Sequence, residues 1–131
     1  MKKGYKALLA EANAAIEAVA PEEAAALGKR ADVQLVDIRD IRELRREGRI
    51  PGAFHAPRGM LEFWVDPESP YHKDIFSSGK TFIFFCASGW RSALATKTVQ
   101  EMGLEPVKHM DGGFSAWKKA GLPVESAEKD S

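Results

Sequence analysis

A continuous apolar run, Thr81-Phe82-Ile83-Phe84-Phe85, constrains the fold of this 131-residue chain more than any other segment. Apolar side chains at four successive positions indicate a strand buried on both faces, as strands are inside parallel sheets covered by helices. A helix is predicted from Ser92 to Met102, so only a short loop beginning at Cys86 separates the two elements. The run therefore predicts a buried strand that leads directly into a helix.

Strand and helix patterns alternate along the rest of the chain. Further strands are predicted near residues 16–19, 33–38 and 106–110. Four more helices are predicted. The first covers residues 4–14, the second begins at Pro21, and the third begins with a capping box of Asp40 and Glu43 and ends at Gly48. The fourth follows the turn Asp111-Gly112-Gly113. This alternation predicts an α/β domain with a mainly parallel sheet.

Binding sites in such sheets form at the carboxyl ends of the strands. Asp37, Cys86 and Asp111 each follow or end a predicted strand, so we expect them along one edge of the sheet. The segment 57–78 contains three prolines and is the least regular part of the chain. We expect it to shape one side of a pocket at that edge.

The loop after the buried strand predicts a reactive cysteine at position 86. Backbone N–H groups and the positive end of the following helix would point at its sulfur, and Arg91 lies five positions further on. All three favour thiolate over thiol. The alternative is that Cys86 is a small buried hydrophobic residue, which is the usual role of a free cysteine.

Composition excludes several other classes of function. Lys+Arg and Asp+Glu both number 19, so no net charge draws the chain to nucleic acid or to an anionic membrane. The single cysteine cannot form an internal disulfide, and the three histidines are too scattered to give metal-ligand spacing with it. The N-terminus is a poor signal peptide and no segment has the length of a membrane span, so we expect a cytoplasmic protein. We also expect neither a metal nor a cofactor.

Four motifs, in order, resemble those of the rhodanese family of sulfurtransferases over about residues 15–125. They are Val36-Asp37-Ile38-Arg39 with Glu43, Gly48-Arg49-Ile50-Pro51-Gly52-Ala53-Phe54-His55, Cys86-Ala87-Ser88-Gly89-Trp90-Arg91-Ser92, and Gly112-Gly113-Phe114-Ser115-Ala116-Trp117. The resemblance implies a three-layer fold with a five-stranded, mostly parallel sheet and helices on both faces. Residues 1–14 would then be a helical extension, 15–125 the domain and 126–131 a tail.

The resemblance also implies an activity. Cys86 would carry a sulfane sulfur as a persulfide, loaded by a small anion such as thiosulfate or by a persulfide, and unloaded by cyanide, a thiol or a protein acceptor. The alternatives are a sulfur relay or a non-catalytic regulatory module that works with a protein partner. Phosphatases and arsenate reductases of this fold have one more residue between cysteine and arginine, so the four-residue spacing here favours sulfur transfer.

Roles follow for the residues of the site. Cys86 is the expected nucleophile, and Arg91 stabilises charge on sulfur unless it pairs with a carboxylate of its own helix. Substrate would contact the remaining loop residues, which are Ala87, Ser88, Gly89, Trp90 and Ser92. The structural rim of the site is assigned to Asp37, Arg39 and His55, the last being a weak acid–base candidate.

Three of these positions leave alternatives open. Ser92 is either a loop ligand or only a helix cap. Trp90 either walls the pocket or packs on segment 57–78. Ala87 stands where some thiosulfate-using relatives carry a basic residue, so we expect modest affinity for thiosulfate and a persulfide, polysulfide or protein donor. Trp117 is assigned to the core because of its helical spacing from Phe114.

Overall fold

The computed structural model describes residues 1–127, and within them strands and helices alternate as the sequence predicts. The helices are α1 (Tyr5–Ala15), α2 (Pro21–Leu27), α3 (Ile41–Glu47), α4 (Leu61–Val65), α5 (Trp90–Glu101) and α6 (Gly113–Lys119). The strands are β1 (Ala18–Val19), β2 (Val33–Asp37), β3 (Phe54–His55), β4 (Thr81–Phe85) and β5 (Val107–Met110). None of the helices in this range is both long and apolar enough to cross a membrane.

The five strands form one sheet in the order β1-β5-β4-β2-β3, with every neighbouring pair parallel. The apolar run is therefore the central strand, β4, with β2 and β5 on either side. The α/β fold with a five-stranded parallel sheet is confirmed. Residue patterns alone missed β3, because two residues are too few to show alternation.

Helices cover both faces of the sheet, as the resemblance implied. Successive side chains of β4 point to opposite faces and so divide between two cores. Phe82 and Phe84 belong to the core that includes Leu61 of α4 and Val99 of α5. Ile83 and Phe85 pack in the second core, whose other members include Ala24, Phe114 and Trp117. The assignment of Trp117 to the core is confirmed, and its Nε1–H donates to the Pro123 carbonyl at 2.8 Å.

The predicted capping box begins α3. The Asp40 side chain accepts from the Arg42 N–H at 2.8 Å, and the Asp40 N–H donates to Glu43 Oε1 at 2.9 Å. Gly48 ends the helix with φ of 91°, and a Cβ there would lie 2.8 Å from Val124 Cγ1. Glycine is therefore required both by the backbone angle and by the close approach of the C-terminal segment.

Segment 57–78 is more regular than its sequence indicates. It consists of α4 between two 3₁₀ turns, Arg58–Met60 and Asp74–Ser77. Leu61, Val65 and Phe76 are buried in the first core, so apolar packing explains much of this segment. The predicted boundaries at residues 14 and 125 stay predictions, and the last four residues of the predicted tail lie outside the described range.

Candidate active site

The loop between β4 and α5 is held by Gly89, whose φ of 107° is closed to most other residues. Gly89 is the N-cap of α5, which begins at Trp90, two residues earlier than predicted. Ser92 therefore lies inside the first turn, and the interpretation of Ser92 as a helix cap is wrong. Because the helix begins early, its first N–H groups are brought back over the sulfur of Cys86.

The sulfur of Cys86 receives two backbone hydrogen bonds. Gly89 N–H donates to Sγ at 3.2 Å and Ser92 N–H donates at 3.4 Å. Cys86 is only 1% exposed and also packs against the first core. It is thus as buried as the alternative interpretation required, but polar donors and the positive end of α5 are directed at its sulfur. These features are complementary to negative charge there.

Arg91 pairs with Glu43 of α3, and not with a carboxylate of its own helix as one alternative held. Its two terminal nitrogens donate to the two carboxylate oxygens at 2.7 and 2.9 Å. This hydrogen-bonded pair lowers the pKa of Glu43 to about 2, against the opposing effect of burial. The pKa of Arg91 is raised, chiefly by Glu43 and further by the charge and hydrogen bonding of Cys86. The guanidinium therefore lies close to both groups.

A third polar contact of the sulfur, with the Ser92 hydroxyl, leads into the sheet. Ser92 Oγ lies 3.6 Å from Cys86 Sγ and 3.0 Å from Nδ1 of His109 on β5. His109 is 3% exposed, and this burial lowers its pKa, with the charge of Asp111 acting in the opposite direction. Sequence reasoning missed His109. Its position near the carboxyl end of a predicted strand was a usable signal, because that edge of the sheet is where Cys86 was also expected.

The N-terminus of α6 fixes the backbone of the loop. Phe114 N–H donates to the Cys86 carbonyl at 2.8 Å, and Ser115 N–H donates to the Ala87 carbonyl at 3.0 Å. Gly113 makes this contact possible, since a Cβ there would lie 2.5 Å from the Cys86 oxygen. The Gly112-Gly113 pair thus allows one backbone to lie against another.

Asp37 and Arg39 form a buried ion pair beside the loop, each 1% exposed. Arg39 Nη2 donates to Asp37 Oδ2 at 2.7 Å and to the Gly48 carbonyl at 2.9 Å, and its guanidinium carbon lies 4.0 Å from the Phe114 ring centroid. His55 Nε2 donates to the Arg39 carbonyl at 2.7 Å. These contacts join β2, β3, α3 and α6, and the assignment of the three residues to the rim of the site stays a prediction.

The remaining loop residues face outward. Ser88 is exposed, Ala87 is partly buried, and Trp90 is 58% exposed. The Trp90 ring lies 5.2 Å, centroid to centroid, from that of Tyr5 on α1. This partner was not among the alternatives considered for Trp90, because nothing local in the sequence links residues so far apart.

A family model and several known proteins match this chain. The model of the rhodanese-like domain matches residues 20–120. A sulfurtransferase of Allochromatium vinosum is 33% identical over 74% of this chain and 82% of its own length. The chain spans only 54% of another curated relative, an uncharacterised protein of Synechocystis that is also 33% identical.

Two solved structures are similar over almost the whole chain. A Rhodopseudomonas palustris protein of unknown function, described as a possible tyrosine phosphatase, is 57% identical, with a TM-score of 0.92 and coverage of 95% of this chain and 96% of that one. The polysulfide-sulfur transferase homodimer of Wolinella succinogenes is 30% identical, with a TM-score of 0.71 and coverage of 96% and 90%. Since the family model spans residues 20–120 and the fold agrees, the chain belongs to the rhodanese-like domain family.

Proposed function

We propose that the protein is a sulfurtransferase that moves a sulfane sulfur through a persulfide on Cys86. The observation that carries this proposal is the pair of backbone N–H groups, from Gly89 and Ser92, that donate to Sγ at the start of α5. A sulfur so placed is stabilised as an anion, and the anion is the form that attacks another sulfur. Family membership and a sulfurtransferase relative at 33% identity support the same chemistry.

The reaction has two half-reactions, and thiosulfate illustrates the first. The Cys86 thiolate attacks the outer sulfur of the donor, a new S–S bond forms, the S–S bond of thiosulfate breaks, and sulfite leaves with the electron pair. In the second half-reaction a nucleophile such as cyanide attacks the outer persulfide sulfur. Thiocyanate leaves and the thiolate of Cys86 is regenerated. The loop amides stabilise the negative sulfur before and after each step.

The donor that we propose is a persulfide or polysulfide in preference to thiosulfate. Arg91 is the only fixed positive charge in the loop, and both of its terminal nitrogens are held by Glu43. Ala87 adds no second charge. A dianion such as thiosulfate therefore meets a nearly neutralised site, whereas a singly charged persulfide needs less positive charge. Comparing turnover with thiosulfate and with glutathione persulfide tests this proposal, and a clear preference for thiosulfate contradicts it.

Intact mass spectrometry tests the persulfide directly. Wild type and Cys86→Ser are incubated with either donor and their masses are recorded before and after cyanide. We expect one added sulfur atom on the wild type, removed by cyanide, and none on Cys86→Ser. Since Cys86 is the only cysteine, a sulfur bound elsewhere or no gain in mass with either donor would contradict the mechanism.

A phosphatase is the second candidate, because the 57% identical relative is described as a possible tyrosine phosphatase. Cysteine-dependent phosphoryl transfer also requires an anionic sulfur and an arginine. The four-residue spacing leaves a shorter cradle for a phosphate group than the longer loop expected of phosphatases. Release of nitrophenol from p-nitrophenyl phosphate, lost in Cys86→Ser, would favour this second function.

A relay is distinguished from a free-standing enzyme by its acceptor. If loading with sulfur is fast but small thiols and cyanide unload it slowly, we infer that the physiological acceptor is a protein. Fast unloading by a small acceptor would identify a free-standing enzyme.

A further inference from the structure

The sulfur of Cys86 needs a route by which its proton leaves. Cys86 is 1% exposed, so bulk water has little direct access to the thiol. Among its described hydrogen-bonding neighbours, the amides of Gly89 and Ser92 are donors only, and a guanidinium such as that of Arg91 has no acceptor. The remaining neighbour is the Ser92 hydroxyl, 3.6 Å from Sγ, which both accepts and donates.

The Ser92 hydroxyl has two further polar neighbours, and Nδ1 of His109 accepts from it when the neutral ring carries its proton on Nε2. Nδ1 of His109 lies 3.0 Å away, and the Gly89 carbonyl lies 3.4 Å away. Only the imidazole is able to take up a proton near neutral pH. The three side chains of Cys86, Ser92 and His109 are all buried, so the contacts form one enclosed hydrogen-bonded chain.

We propose that His109 accepts the proton of the Cys86 thiol through the hydroxyl of Ser92 and is thereby a positioning residue for the nucleophile. The S–H bond breaks as an O–H bond forms on Ser92, and the original Ser92 O–H breaks as an N–H forms at Nδ1. The products are a thiolate and an imidazolium, and nothing is oxidised or reduced. His109 lies outside the four motifs that identify the family.

The inference rests on the proposed function in one respect: sulfur transfer is the reaction that needs the thiolate. The proton transfer from Cys86 to His109 itself takes place without any sulfur donor. Burial lowers the pKa of His109 and so disfavours the imidazolium, while the charge of Asp111 acts in the opposite direction. The proton transfer therefore depends on the thiolate that is formed with the imidazolium, because the two opposite charges stabilise each other. In the thiolate form, the Ser92 hydroxyl turns to donate to sulfur and the protonated Nδ1 donates to Ser92.

Charged groups lie on β5 and on the elements packed against it, α5 and β1. Asp111, which directly follows β5, favours the imidazolium. Two ion pairs lie on these elements: Arg91 of α5 with Glu43, and Lys108 of β5 with Glu17 beside β1. The proposed transfer places a thiolate and an imidazolium at the two ends of the hydrogen-bonded path through Ser92, so the charge of each stabilises the other.

The ultraviolet absorbance of the thiolate measures this coupling, because Cys86 is the only cysteine and Cys86→Ser supplies the baseline. His109→Asn keeps a hydrogen-bond acceptor near Nδ1 but cannot be protonated. We expect it to raise the midpoint of thiolate formation by about one pH unit, a tenfold change in the ionisation constant. His72→Asn is the matched control and should leave the midpoint unchanged, since its ring contacts Ser77 instead.

Ser92→Ala tests whether His109 acts through the hydroxyl. If it does, Ser92→Ala and the Ser92→Ala/His109→Asn double variant share one midpoint, because the second change has nothing left to remove. Additive shifts would overturn the path through Ser92. His109→Gln is a second replacement, and circular dichroism shows whether both His109 variants are folded. If both are folded and both have the midpoint of the wild type, the role of His109 is overturned. Absence of sulfur transfer in the wild type would overturn only the proposed function.

Discussion

Removing the charge of Asp37 is expected to lower the free energy of unfolding more than removing the charge of an exposed residue would. Asp37 and Arg39 are each 1% exposed, and Asp37→Asn leaves the Arg39 guanidinium buried without its counter-ion. Removing one partner of a buried ion pair typically costs about 3–5 kcal/mol, because the remaining charge is uncompensated. That is a large part of the roughly 5–15 kcal/mol by which domains are stable.

The free energy of unfolding, measured by urea denaturation, and the midpoint of thermal unfolding check this expectation. For a chain of this size the loss corresponds to a fall in Tm of roughly 10–20 °C. Asp32→Asn is the matched control, because Asp32 also pairs with an arginine two positions away, Arg30, but both side chains are mostly exposed. We expect no measurable change for Asp32→Asn. If Asp37→Asn also left the free energy of unfolding and Tm unchanged, the conclusion that this ion pair joins the elements around the site would be refuted.

Two further variants test the loop and its arginine. Gly113→Ala should slow the loading of Cys86 with sulfur and lower the stability of the protein, because the added Cβ would meet the Cys86 carbonyl. Gly121→Ala is the control, since Gly121 also has a positive φ but open space around it, and this variant should keep the loading rate. Equal loading rates in the two variants would contradict the role given to the backbone contact. Glu43→Gln should be less stable than wild type above pH 4.5, with the difference vanishing as the pH falls towards 2, since the pKa of Glu43 is lowered from 4.5 to about 2 by Arg91. Urea denaturation at several pH values measures this, and a constant difference would contradict it.

Local patterns in the sequence were sufficient to predict β4, the capping box of α3 and the glycine that ends it. In each case the determining residues lie within a few positions of one another, so periodicity and capping chemistry carry the information. The two-residue strand β3 shows the limit of this reasoning. Phe54 and His55 form a strand only because β2 offers unpaired backbone groups beside them.

Contacts across the sheet could not be predicted in the same way. The Arg91–Glu43 pair joins residues 48 positions apart, and it requires α3 and α5 to point their first turns at each other. Sequence reasoning gave Glu43 one role, in the capping box, and its second role appears only once the helices are packed. Trp90 and Tyr5 meet for a similar reason, because α1 packs along α5.

Burial of Cys86 by itself does not distinguish a reactive cysteine from a packed one. A buried thiolate without donors is strongly disfavoured, so an apolar environment alone would keep the sulfur protonated and inert. The same low polarity strengthens any hydrogen bond that does reach the sulfur. The observation that favours the proposed reactive cysteine is therefore the direction of the N–H groups of Gly89 and Ser92, both of which donate to Sγ. Their direction depends on the left-handed Gly89, and so the polar surroundings of the sulfur depend on the conformation of one glycine.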